Sequence, residues 1–244
     1  MTSTRYVVIF VLVLTSVVAV ALTGLREATK EKAAQNELIF NKRAILSAVN
    51  DYLPDGKSVS GLSDKDVIDL FEQQVQQVVL DMNGQVVDGM LAEDVDMAKE
   101  QKKPEAQRLL PLYIYDSGND KFYIVSVRGS GLWDAIWGNV ALKSDLNTIA
   151  GAAFDHAGET PGLGAEIKDN PNFAEQFKGK EIYDGGAYVS VAVRKGNVAN
   201  TIHDVDGISG ATVTSLGVSE MLYRGIHYYE PYFESLRQQG QLIR

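Results

Sequence analysis

The chain has 244 residues, 45% of them hydrophobic, and a formal net charge of -9. That charge, with no lysine/arginine-rich run, argues against a nucleic-acid partner, because neutralising phosphates needs a basic face. Cysteine is absent and histidine occurs only at His156, His203 and His227, which excludes cysteine-held iron–sulfur clusters, thioether-linked haem and disulfides and leaves little material for a metal site.

Tyr6 to Leu25 carries no charge and is built mainly from Val, Leu, Ile, Phe and Ala; about 20 such residues cross a hydrocarbon core as a helix. We read residues 1–25 as one retained transmembrane anchor, since a cleavable signal has a shorter apolar region. Residues 26–50 are rich in Ala, Glu, Lys, Gln and Leu without proline and read as a helical connector, closed by Pro54-Asp55-Gly56. Residues 51–244 then form one domain. Arg26, Lys30, Lys32, Lys42 and Arg43 follow the span whereas only Arg5 precedes it, so a positive-inside count alone puts that domain in the cytoplasm.

Ser63 and Asp66 predict a helix start, with the helix over Asp64 to Glu72. Gln73 to Leu80, Asn83-Gly84 and Gln85 to Leu91 read as a strand, a turn and a second strand. Ala92 to Arg108 is polar and reads as an exposed loop or insertion. Leu112 to Tyr115 and Phe122 to Val127 flank a turn at Ser117-Gly118-Asn119-Asp120. Further strands are expected at Gly138 to Leu142, Thr148 to Phe154 and Ala187 to Arg194, and a helix at Asn172 to Phe177. Strands joined by tight turns, without a βαβ rhythm, predict an α+β fold: a mostly antiparallel sheet with flanking helices after the anchor. Tyr228, Tyr229, Tyr232 and Phe233 predict that part of the tail from His227 to Arg244 is buried.

The chemistry concentrates in Asp206-Gly207-Ile208-Ser209-Gly210-Ala211-Thr212-Val213-Thr214-Ser215. Gly207 and Gly210 allow positive φ and a close backbone approach, and Val213, Leu216, Met221 and Leu222 fall on one side of a helical repeat beginning near Thr212 and running toward Arg224. A helix start offers free N–H groups and partial positive charge to an anion, although spacing alone equally describes an ordinary capped surface helix. Separately, Thr160-Pro161-Gly162 reads as a type II turn. Trp133 and Trp137 are large apolar surfaces whose default home is a core or interface. No catalytic constellation appears: nothing in the sequence brings Glu159 and Asp206 together, and no base neighbours Ser209, Thr212 or Thr214.

Ser209-Gly210-Ala211-Thr212-Val213-Thr214-Ser215 resembles the flavinylation motif of the membrane FMN-binding proteins, in which the threonine after Gly-Ala is joined to FMN through a phosphoester. The resemblance implies Thr212 as acceptor, with Ser209, Gly210 and Ala211 around the phosphate and Thr214 as a neighbouring decoy. Glu159-Thr160-Pro161-Gly162-Leu163-Gly164 resembles the family box whose loop lies against the flavin ring, which implicates Glu159, Thr160, Gly162 and Leu163. Arg128-Gly129-Ser130-Gly131-Leu132-Trp133 is similar to the Gly-x-Gly-Leu-Trp region of the C subunits of sodium-translocating NADH:quinone oxidoreductases, adding Trp133; the related G subunits of Rnf ferredoxin:NAD oxidoreductases generally lack that tryptophan.

The resemblance implies an electron carrier relaying toward quinone between other subunits of the sodium pump, matured by a flavin transferase, held in a bacterial inner membrane by Tyr6-Leu25 with its domain on the periplasmic side. It implies no metal and no complete active site in this chain alone. An Rnf-type G subunit is the nearest alternative. A membrane-anchored binding or assembly module of pseudopilin type uses the anchor but leaves both flavin boxes unexplained.

Overall fold

The computed structural model describes residues 3–196, 198 and 200–240. Helix α1 runs Thr4–Ser47 without a break, and its N-terminal part is long and apolar enough to cross a membrane. The expected span and connector are therefore one helix. Two compact units divide between Asn41 and Lys42, so the C-terminal unit begins inside the segment read as connector.

Within that unit the end of α1 is core. Ile45 and Leu46 are buried, as are Ala48 and Val49 just beyond it. Lys42 is nearly enclosed, yet its ammonium is satisfied: Nζ donates to Glu93 Oε2 at 2.7 Å and lies 4.1 Å from the centre of the Phe71 ring. Arg43 donates to the carbonyls of Val59 and Leu62 and to Asp64. Helix α2, Asp64–Gln74, opens on a reciprocal capping box between Ser63 and Asp66, which satisfies two N–H groups that a helix start otherwise leaves open.

Five strands follow in a simple meander: β1 (Val75–Leu80), β2 (Leu110–Asp116), β3 (Lys121–Ser130), β4 (Ala135–Leu142) and β5 (Ile149–His156), every neighbouring pair antiparallel. The expected mostly antiparallel sheet is present. The expected strand Gln85 to Leu91 is not. After a turn in which Asp81 accepts from the amides of Asn83 and Gln85, only a bridge between Leu80 and Val86 forms. Val86, Met90 and Leu91 stay exposed, so the segment has no buried face to hold it in a ladder, and β1 takes β2 as its partner instead.

Ala92 to Arg108 is not simply a solvated loop either. It contains turns at Ala92–Asp94 and Glu105–Gln107 and a short helix α3, Met97–Glu100. Ala92 and Glu100 are buried, and the Glu100 carboxylate accepts from Lys103 and from the Leu109 amide. A charged composition concealed this because the burial belongs to one small residue and one paired acid.

Short helices α4 (Glu166–Asp169) and α5 (Pro171–Glu175) follow the sheet. The strand expected over Ala187 to Arg194 is split into β7 (Ala187–Tyr188), paired with β6 (Tyr183–Asp184), and β8 (Ala192–Arg194), paired in parallel with β9 (Asp204–Asp206). The break falls at Ser190, whose φ of 62° no strand residue adopts.

Helix α6, Thr212–His227, crosses β3, and α7, Glu230–Gln238, closes the chain's described part. At the crossing a Cβ on Gly217 would lie 2.3 Å from the Ser130 carbonyl oxygen, so helix and strand touch backbone to backbone. The tail packs as expected: Tyr229 and Phe233 are fully buried, and the Tyr229 hydroxyl bonds to the carbonyls of Pro111 and Ser126, joining β2 to β3. Residues 241–244 lie outside the described residues.

Candidate cofactor site

Three chain segments far apart in sequence meet at the start of α6. The helix begins at Thr212 after Ala211, which has φ -117° and ψ 46° and caps nothing with its side chain. The first amides of the helix are therefore free of side-chain competition and available to an anion. Thr212 is exposed; Thr214 is 1% exposed. Two hydroxyls separated by one residue thus occupy opposite environments, because a step of two along a helix turns the side chain to the far face.

The loop before the helix is folded back by local bonds. The Gly207 amide donates to the Arg194 carbonyl at 2.6 Å, and the Ser215 hydroxyl accepts from the Ile208 amide at 3.2 Å. Gly210 has φ +78°, and a Cβ there would lie 2.7 Å from Leu163 Cδ2. Leu163 belongs to the second segment, so this glycine is one place where the two motifs touch. Ser209 and Gly210 are exposed, and Ala211 is buried.

The second segment is the turn read from sequence. The Leu163 amide donates to the Thr160 carbonyl at 3.1 Å, with Gly162 at φ +73° in the third position, as a type II turn requires. Thr160 is exposed and Leu163 remains 40% exposed. The third segment joins through two bonds: the Trp133 indole Nε1–H donates to Thr160 Oγ1 at 3.1 Å, and the Trp133 amide to Glu159 Oε1 at 2.9 Å.

Glu159 is the residue whose place the sequence did not disclose. Its carboxylate is buried, accepts the Thr214 hydroxyl at 2.6 Å as well as the Trp133 amide, and is flanked by Gly131 and Gly164, at which a Cβ would come within 2.4 and 2.1 Å of its oxygens. Burial pushes its pKa up, but the Thr214 hydroxyl and the amides of Trp133, Asp134 and Leu132 outweigh that and hold it below the usual glutamate range. Asp206 lies apart from it: Asp206 is exposed and its amide donates to Gln176.

The surface around Thr212 is apolar where it faces solvent. Val213 and Leu216, read from sequence as sharing one side of the helix with Met221 and Leu222, are 51% and 60% exposed, and the buried stripe is Thr214, Ser215, Val218, Met221, Leu222 and Ile226. The correction has a physical cause. The underside of the first turn meets polar groups, so hydroxyls face inward there: Thr214 binds the Glu159 carboxylate and Ser215 the Ile208 amide, and farther along the helix Ser219 binds the Val193 amide. With Trp133 at 69% exposed, the site offers a free hydroxyl, open helix amides and exposed apolar side chains, a donor set suited to a phosphate attached to a flat aromatic ring. Among the described residues no group of acids and histidines is placed to hold a metal.

Comparison with known proteins identifies what the chain is similar to. Residues 131–227 match the FMN-binding domain family. The chain is 35% identical to the C subunit of the Na(+)-translocating NADH-quinone reductase of Pseudomonas aeruginosa over 91% of this chain and 90% of that one. It is 32% identical to the corresponding C subunit of Vibrio anguillarum over 97% and 95%. The crystal structure of the C subunit from Parabacteroides distasonis superposes with a TM-score of 0.72 at 35% identity, covering 83% of this chain and 96% of that one.

Proposed function

This chain belongs to the family of C subunits of the Na(+)-translocating NADH-quinone reductase, and from that premise we propose that Thr212 holds its FMN through a phosphoester. Membership makes the chain an FMN-carrying electron-transfer subunit of a multi-subunit membrane complex. When bound, FMN supplies the redox chemistry that the side chains lack. The observation that carries the proposal is the contrast at the helix start: Thr212 is exposed beside uncapped amides, whereas Thr214 is buried and bonded to Glu159.

In this reading Ser209, Gly210 and Ala211 with the first amides of α6 surround the phosphate, and Thr160, Gly162, Leu163 and Trp133 provide the wall against the ring. Glu159 stands behind that wall. Among the described residues no acid or histidine bonds the Thr212 hydroxyl, so forming the ester falls to a separate flavin transferase. Tyr6 to Leu25 then serves as a single-pass anchor in the inner membrane with the domain on the periplasmic side, relaying electrons between other subunits toward quinone.

The test is a denaturing gel of protein made with its transferase. A fluorescent flavin band is expected in the wild type and in Thr214→Val, and its loss in Thr212→Val. A band that survives Thr212→Val overturns the assignment.

A further inference from the structure

Among the described residues four acids with buried side chains stand in the domain, and one of them is unlike the rest. Glu100 pairs with Lys103 at 2.7 Å, Asp155 with Lys168 at 2.8 Å and Asp204 with Arg194 at 3.1 Å. Glu159, buried as deeply, has no cationic partner among the described residues; its bonds come from a hydroxyl and from backbone amides. Neutral donors satisfy a carboxylate's lone pairs without cancelling its charge.

Gly131 and Gly164 lie against the two oxygens, where a Cβ on either would come within 2.4 and 2.1 Å of them. The amide of Glu159 itself donates to His156 Nδ1 at 3.2 Å. The carboxylate sits under the third residue of α6, close to the partial positive charge of the helix start. It also binds the chain on each side of the site, Trp133 through its amide and the Thr212 helix through Thr214.

Resting on the flavin reading above, we infer that Glu159 is a positioning residue that also acts electrostatically, its uncompensated charge fixing the Trp133 loop to the Thr212 helix and opposing the arrival of negative charge on the cofactor. Two unit charges separated by protein rather than bulk water interact more strongly than the same pair in water, so an electron added beside this carboxylate is disfavoured and the flavin is held toward lower potential. Reduction here is addition of an electron to the ring, with no bond between heavy atoms made or broken.

The test uses full-length protein carrying its attached flavin, titrated with dithionite as electron source against reference dyes. Glu159→Gln is expected to move the midpoint positive by about a tenfold change in the one-electron equilibrium, ~59 mV. Thr214→Val, which keeps the charge and removes its shortest donor, is expected to move it negative. Coincident midpoints in wild type and both variants overturn the inference while leaving the attachment site intact; a wild type without attached flavin counts against the attachment reading instead. Should Glu159→Gln fail to fold or load, the Thr214→Val midpoint decides: a negative shift supports the inference, and a midpoint equal to the wild type's overturns it.

Discussion

The Thr214 hydroxyl donates to Glu159 Oε2 at 2.6 Å in a buried pair that spans 55 positions of sequence. A threonine so bound is a structural tie between the loop and helix α6. Replacing it with valine preserves shape and leaves one carboxylate oxygen short of a donor, a loss of about 1.5–3 kcal/mol for a hydrogen bond to a charged group. Denaturant unfolding of Thr214→Val is expected to show a lower midpoint with an unchanged slope. A variant as stable as the wild type would mean that the bond contributes nothing.

The same carboxylate makes an acid-side signature. Its pKa is raised by burial and lowered further by the Thr214 hydroxyl and three loop amides, and the net lies below the unfolded value. A group depressed on folding contributes stability that is fully present above its unfolded pKa, about 4.3, and is lost as pH falls through the folded one. Glu159→Gln is therefore expected to lose stability at neutral pH and to show a shallower decline below about pH 4. Parallel acid limbs for the two proteins would contradict it.

Three glycines of the site answer to different physics. An alanine at Gly164 or Gly131 places its Cβ within 2.1 or 2.4 Å of the Glu159 carboxylate, which has no free direction in which to move. Overpacking of this kind costs about 1–3 kcal/mol. Gly162 has open space around it and a φ of +73°, so alanine there incurs only the left-handed backbone penalty of ~1–2 kcal/mol. Thermal unfolding should rank Gly164→Ala below Gly162→Ala, and only the first should perturb Trp133 emission, since Trp133 hangs on the carboxylate.

Much of this was legible in the chain itself. The Ser63 and Asp66 cap, the Thr160 to Leu163 turn and the strands around Ser117-Asp120 each rest on local rules that tertiary contacts left in force. The inward face of α6 was not legible. Apolar periodicity grouped Val213 and Leu216 with Met221 and Leu222, but the first turn buries the Thr214 and Ser215 hydroxyls against a carboxylate and an amide, and a pattern based on hydrophobicity has no weight for such partners. Glu159 was named through its motif, yet its role depends on donors 26 and 55 positions away, and no spacing encodes that meeting. The split of the Ala187 to Arg194 strand is of the same kind: a non-glycine residue at positive φ, Ser190, cannot be anticipated from composition.

The final prediction concerns where the domain starts. Composition puts its boundary near residue 50, whereas the compact unit starts at Lys42. Ile45, Leu46 and Val49 are 4%, 0% and 0% exposed, and burying each such side chain stabilises by about 1.5–3 kcal/mol. Together they approach the whole stability of an ordinary domain, about 5–15 kcal/mol. Arg43 adds bonds to Val59, Leu62 and Asp64 that hold the segment leading into α2. A fragment beginning at Lys42 is expected to unfold cooperatively, and one beginning at Asp51 to lose cooperativity or precipitate, as judged by circular dichroism melts and amide NMR dispersion. Equal melting temperatures for the two fragments would show that the last turns of α1 lend the domain nothing.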